Sequence, residues 1–266
     1  TAFTRGPDHH TTVYDTRAVW GPSAWITPTG NEPTIAITGG YHDAGDFDTR
    51  PFHTIIPIRM LAYYEAFPDH FIDGQYNIPE SGNGIPDFLD EAIWGMRVWE
   101  NLQVSDPKDP DYGGVRQGFE AAGHPGYGYD SAASETQLYG TFDVAEGTTA
   151  QSAGMFALAS RLIAPYDSTY ATQLLNKAAL AWNWLEANGD VNALTGNNLY
   201  ASLQLYLATG ESQYHEIFKT AANAILINRT TAWPQQFVAS NSSAGAPLVY
   251  FSSYLITDQP TDATVK

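Results

Sequence analysis

The chain has 266 residues, 12 Lys and Arg against 29 Asp and Glu, a formal net charge of −17 and no cysteine. Phosphate binding needs clustered basic side chains, so this balance argues against nucleic acid as a partner. The missing thiols rule out a disulfide scaffold, thiolate-bound metal and a cysteine nucleophile, and leave the redox compartment open. Charged residues make up 15% and aromatic residues 13%, which argues against charge-driven disorder. No apolar run reaches the roughly 18 residues of a membrane span. No basic-then-apolar leader opens the chain, so any signal peptide is expected to have been removed. An acidic, aromatic-rich surface suits neutral or cationic ligands. Sugars lead that class, because aromatic faces stack on pyranose rings.

In chain order, residues 1–50 read as irregular, rich in Gly, Pro, Thr and Asp. Helical spacing begins at Phe52 and runs to Phe67, with Pro57 in the first turn or at a kink. The strongest helix follows. Asn83 or Gly84 caps it, Pro86 sits early, and Ile85, Leu89, Ile93, Met96 and Trp99 line one face. Asp106 to Gly147 reads as a long Gly- and Tyr-rich loop, of the kind that carries function. Helices resume over 148–164, 168–187, 199–209, 212–227 and 247–256, with Gly189, Gly210 and 258–260 as stops. Short connections imply antiparallel neighbours. With no hairpin series and no strand–helix alternation, the fold class is all-α. One domain is expected over 1–266, irregular over 1–50 and helical over 51–266. Trp94, Trp99, Trp182 and Trp184 fall on helical faces and are expected to pack in the core.

Searches for a phosphate loop, a GxGxxG turn, a GxSxG elbow and HExxH find nothing. The adjacent His9–His10 point in different directions, which suits a solvated terminus better than a metal. The run Asp106 to Gly114 (DPKDPDYGG) lacks the acidic spacing and closing Glu of a calcium loop and reads as a Pro/Asp turn. Asn228 and Asn241 lie in sequons. The informative segment is Gly39 to Asp48, GGYHDAGDFD, in which Ala-Gly joins Asp43 to Asp46. Small residues permit a tight turn, so both carboxylates can converge on one water, hold it and deprotonate it. By itself such a DxGD also suits an Asx-turn or a helix cap.

Further along comes NIPESGNGIPDFLDEAIWGMRVWENLQ, Asn77 to Gln103. Together the two segments resemble glycoside hydrolase family 9, the inverting cellulases and relatives, whose hallmarks read much like GGWYDAGD and NGIPDLLDEARW. The resemblance continues through Thr148 to Asn188 and in LYLATGESQY, Leu205 to Tyr214. It implies an (α/α)6 barrel, the six-hairpin glycosidase fold, only part of which this chain contains. Asp46 is then the general base and Asp43 its partner on the water. His124 falls where members place a sugar-contacting His, and Tyr127, Tyr129 and Tyr139 on the long loop are candidates for stacking on sugar. Tyr41, where the family often has Trp-Tyr, is a further candidate substrate contact. The family's general acid is a Glu near the end of the domain, in a stretch like NEVA. No such stretch occurs here, and the acid is expected outside these residues, in the remaining part of the domain or on a second chain.

Other implications follow from the same resemblance. Members that bind calcium use an Asp-Glu pair just before the helix ending in LYLATG. This chain has Asn197-Asn198 there, so no cofactor is expected. Phe47-Asp48-Thr49-Arg50 replaces the usual continuation after DAGD, and Arg50 is expected to neutralise nearby carboxylates or to pair with Asp48 at the surface. Asp87, Asp90 and Glu91 are expected to cap their helix and tie it to the DAGD loop. The implied activity is inverting hydrolysis of a cellulose-like β-1,4-glucan by a secreted or periplasmic protein, with accessory domains outside the chain. Two alternatives stand beside it: an exo-acting enzyme on chitosan-type oligosaccharides, drawn by the acidic surface, and a non-catalytic sugar-binding relative.

Overall fold

The structure is a computed structural model and describes residues 12–21, 25–42, 47–123, 137–193, 195–227 and 252–265. Six α-helices follow the apolar periodicity closely: α1 (Ile55–Ala66), α2 (Asp87–Leu102), α3 (Glu146–Ile163), α4 (Ser168–Asn188), α5 (Gly196–Thr209) and α6 (Ser212–Ile227). Pro57 falls in the first turn of α1, where its missing N–H costs nothing. Asp167 caps α4 by accepting from the Tyr170 N–H at 2.8 Å. Thr195 caps α5 in the same way, and Gly210 ends it in the left-handed region at φ +74°.

Helices that are apolar or small-sided all round must be covered all round. In α5, residues 198–207 are all buried, and α3 is buried along nearly its whole length. These two pack on each other, with α1 alongside α3, and α2, α4 and α6 back α1, α3 and α5 respectively. The α3–α5 approach depends on a glycine. A Cβ on Gly154 would lie 2.5 Å from the Tyr200 ring.

Polar side chains link the helices of the inner row at two levels. At the N-terminal ends, Thr54 Oγ1 donates to Gln151 Oε1 at 2.6 Å and Gln151 Nε2 donates to Asn197 Oδ1 at 3.1 Å. Toward the C-terminal ends the bonds close a ring. Arg161 donates to Glu65 and to Gln204, each at 2.6 Å, and Gln204 Nε2 donates to Ser253 Oγ at 2.9 Å. Ser253, in a helical turn over 252–256, donates back to Glu65. That turn is the described part of the helix expected over 247–256; residues 247–251 lie outside the described residues.

Beside these helices the described residues include a small sheet. A sheet of order β2-β1-β4-β3 forms from β1 (Thr12–Ala18), β2 (Thr34–Ala36), β3 (Phe119–Ala121) and β4 (Tyr139–Phe142), inside segments read as irregular. β1 pairs antiparallel with β2 and parallel with β4, across more than a hundred residues of chain. β3 and β4 are buried on both faces, so they show none of the alternation that betrays a strand.

The sheet is anchored by ions. β1 bulges between Tyr14 and Ala18, with Arg17 at φ +46°, and turns that guanidinium onto Asp109 and Asp111. The Asp106–Gly114 turn is thus a carboxylate clamp on Arg17. Arg116 grips Asp15 of β1 through two bonds of 2.7 Å, a bidentate pair with the Arg116 side chain almost fully buried. Asp15→Ala strands that guanidinium, and the expected loss is about 3 kcal/mol in urea unfolding; a loss near zero would show that water replaces the carboxylate.

Candidate functional site

Asp43, Asp46, His124, Tyr127, Tyr129, His9, His10, Asn228 and Asn241 lie outside the described residues. The residues on both sides of the DAGD turn are described. On the N-terminal side, Gly39 and Gly40 take φ values of +73° and +87° and press onto α2. The Gly40 N–H donates to the Trp94 carbonyl at 3.0 Å, and a Cβ on Gly39 would lie 2.2 Å from that same oxygen. Only glycine fits both the backbone sign and the gap.

Tyr41 completes this docking. Its hydroxyl donates to the Glu91 carbonyl at 3.0 Å, and its ring fills the notch left by Gly95, where a Cβ would come within 2.5 Å. Burial, then the Glu91 charge, pushes the phenol above its ordinary range. Tyr41, the candidate substrate contact, is half-buried, with its hydroxyl bound to α2. The motif's link to the DAGD segment runs through the Glu91 and Trp94 backbone carbonyls. The acidic side chains of α2 do other work.

On the C-terminal side, residues 47–50 are stitched to β3. Thr49 and Phe119 exchange backbone bonds of 3.0 and 2.8 Å, and Gly118 lies so close that a Cβ would overlap the Thr49 carbonyl. Phe47 is buried against Phe119 and Tyr139 at ring distances of 5.1 and 6.0 Å. Tyr139, 1% exposed, is thus a core residue of β4 and is corrected from a candidate sugar platform. Beside it, Arg50 donates to Glu120 at 2.8 Å and lies 3.5 Å from Asp48. Asp48 is only 1% exposed and also accepts from the Ala121 N–H, so this pairing is internal.

From Arg50 the chain runs through a single 3-10 turn, Pro51–Thr54, into α1. The backbone N–H of Arg50 donates to His53 Nδ1 at 3.1 Å, which leaves the ring proton on Nε2. The DAGD segment therefore feeds the N-terminal end of the inner row, where Thr54, Gln151 and Asn197 are linked. Phe52, 51% exposed and edge-on to His53, presents an open aromatic face at this end. Sequence reading took Phe52 only as the start of a helix, since exposure is a tertiary property. Trp99, Trp182 and Trp184 are core as expected, and Trp94 is half-buried.

The acidic residues of the second motif organise its own turn. Asp87 accepts from the Gly74 N–H at 3.0 Å and from the Tyr76 N–H at 2.5 Å, and Asp90 from Asn83 Nδ2 at 3.0 Å. α2 begins at Asp87 after Pro86, with no side-chain cap, so the expected Asn83 cap is replaced by an Asx-turn to Ile85. Burial, eased by Asn83 and reinforced by Glu80, Asp87 and Asp73, raises the Asp90 carboxyl to about 6. Such a value suits a general acid. Asp90, however, is buried and accepts from Asn83 in the turn that opens α2.

The calcium implied for some members finds no fit. The Asn198 amide nitrogen itself donates to the backbone carbonyls before α5, at 2.8 Å to Asp190 and 3.3 Å to Ala193. Among the described residues, no group of three or more His, Asp or Glu converges as a metal site. A cleft of about 580 Å³ at the far end of α2, beside Asn101 and Lys177, has no aromatic lining and takes only Glu100, Asn101 and Gln103, the last turn of the second motif, from the two motifs. No helix among the described residues is long and apolar enough to cross a membrane.

Two outcomes follow. Gly39→Ala forces a Cβ into the Trp94 carbonyl on a left-handed residue, with an expected cost of about 2 kcal/mol or more in chemical denaturation. For Asp90, the folded chain keeps a proton that the unfolded chain releases near 3.8. Stability contributed by that proton is complete at low pH and lost as pH rises through about 6. Asp90→Asn is therefore expected to unfold at higher denaturant than wild type at pH 7, with the advantage vanishing toward pH 4.

A model of glycosyl hydrolase family 9 matches residues 5–263. The chain is 28% identical over 213 residues to a cellulose 1,4-beta-cellobiosidase of Acetivibrio thermocellus, across 68% of this chain and 23% of that protein. It is 28% identical over 211 residues to a xyloglucan-specific endo-beta-1,4-glucanase of Bacteroides ovatus, across 77% of this chain and 33% of that protein. The solved structure of a metagenome-derived family 9 endoglucanase superposes with a TM-score of 0.73 at 27% identity, over 97% of this chain and 46% of that one. The chain thus spans less than half the length of each of these relatives, and its paired helices are part of the family's (α/α)6 barrel. By a match over nearly its whole length, the chain belongs to glycosyl hydrolase family 9.

Proposed function

We propose that the chain carries the base side of an inverting β-1,4-glucan hydrolase. The observation that carries this reading is the two-sided anchoring of the DAGD turn: Gly40 and Tyr41 on α2, Thr49 on β3. A carboxylate that must aim a water at one face of a sugar ring needs fixed ends, since small misplacements cost large factors in rate. In this reading Asp43 holds the water. Asp46 takes its proton as the oxygen attacks the anomeric carbon, and the glycosidic bond breaks on the opposite face. The leaving oxygen takes its proton from a carboxylic acid about 6.5–9.5 Å from the base. No stretch of these 266 residues matches the family's acid motif, and the acid is assigned to a residue outside them.

Cellulose-like glucan is the substrate favoured by the relatives, one of which is named for cellobiose release and another for xyloglucan. Phe52 is proposed as an apolar contact for a sugar ring, in the place Tyr139 was expected to fill. His124 and Tyr127 remain proposed sugar contacts on the long loop. A polymeric substrate outside the cell makes the protein secreted or periplasmic. The net charge of −17 keeps chitosan-type oligosaccharides as the second substrate to assay.

The missing acid motif favours one second reading, a sugar-binding chain without turnover. Product anomers and Asp46→Asn separate the two. In protein that hydrolyses β-1,4-glucan, proton NMR is expected to show the α anomer first, and Asp46→Asn to abolish turnover with binding retained. An initial β product overturns the inverting assignment. Activity is also expected to fall at acid pH, as the base protonates. Binding of cellooligosaccharides with no turnover in either form supports the second reading.

A further inference from the structure

The turn before α5 gathers two backbone carbonyls on one point. Those of Asp190 and Ala193 both accept from Nδ2 of Asn198, a side chain only 8% exposed. Both neighbours are acceptors, so the nitrogen end of the amide must face them, and its two hydrogens match the two oxygens. The Asn198 backbone N–H donates to Thr195 Oγ1 at 3.1 Å, which fixes the residue from its other side.

Converging carbonyls at a loop are half of a hard-cation shell, which carboxylates complete. Here the turn's own carboxylate is engaged within it, and that of Glu146 lies nearby against Gly189. The Asp190 carboxylate accepts from the Asn192 N–H at 3.0 Å. Asn197, the other member of the pair, accepts at its Oδ1 from Gln151 Nε2 at 3.1 Å. A cation at this point would have to expel the Asn198 amide and would meet amide oxygens in place of charge.

We infer that the Asn198 amide does in this chain the work of a divalent cation on a carboxylate pair. It draws the Asp190 and Ala193 carbonyls together and fixes the turn that presents Asn197 to Gln151, with no metal. The order of the turn is then set by neutral hydrogen bonds and is indifferent to calcium. This inference does not depend on the proposed reaction.

The test is thermal melting and hydrogen exchange of the 190–195 amides in the 266-residue chain, with calcium and with EDTA. In wild type neither readout is expected to change. Asn198→Asp removes both donors and sets a carboxylate against two carbonyl oxygens. Its melting temperature is expected to fall by several degrees in EDTA, with faster exchange at 190–195, and calcium at millimolar levels is expected to restore both. Three results overturn the inference: calcium slowing exchange at 190–195 in wild type, Asn198→Asp matching wild type in EDTA, or a destabilised Asn198→Asp that calcium does not rescue. A variant that fails to fold with calcium counts as the third, and the wild-type comparison stands without it.

Discussion

The backbone of Gly39 and Gly40 lies directly against the backbone of α2, and the rest of the site depends on that contact. A side chain on Gly39 would occupy the space of the Trp94 carbonyl, and Gly40 spends its N–H on the same oxygen. This explains why the two sequence motifs occur together: each is one face of a single interface, with Tyr41 seated over Gly95 as its third contact. The far side of the DAGD turn is held by different means, a backbone exchange between Thr49 and Phe119 beside a buried ion cluster.

The ion clusters also shape the surface. Arg17, Arg50, Arg116 and Arg161 are four of the 12 basic residues, and each is bound to carboxylates within the fold. An isolated exposed ion pair contributes little, but a guanidinium forked onto a half-buried carboxylate fixes geometry as well as charge. Here those forks set the bulge in β1 and the register of the sheet on the 106–114 turn. These clusters set four guanidiniums against six carboxylates, and the excess of acidic over basic residues left outside them keeps the surface negative. A neutral glucan is indifferent to that field, whereas a cationic oligosaccharide is attracted by it.

How much of this was legible in the sequence follows from the range of each interaction. Helices announce themselves within a few residues, so α4 and α6 start where apolar spacing and Ser168 or Ser212 place them. The strands pair across the chain and are three to seven residues long, and no local window contains their partners. The same limit applies to the site. Asp87 and Asp90 were recognisable as structural, but their partners, the Gly74 and Tyr76 amides and Asn83, were not. Tyr139 is buried and Phe52 exposed, against what their segments suggest, for one reason: burial of an aromatic is decided by what packs over it, and a loop-like sequence such as that around Tyr139 holds no record of that.

Polar rows cross the inner helices near their two ends. Apolar faces attract without direction, so packing alone leaves small-sided helices such as α3 and α5 free to slide or turn with little change in buried area. Thr54, Gln151 and Asn197 at one end, and Glu65, Arg161, Gln204 and Ser253 toward the other, remove that freedom, because a shift of either helix leaves buried donors or acceptors unmatched. Each bond contributes only about 1 kcal/mol net, but leaving a buried group without its partner costs about 1–3 kcal/mol. The rows therefore act through register more than through stability. They set the height at which the segment after DAGD enters α1 relative to α3 and α5, and hence where any base on that segment stands over the inner row.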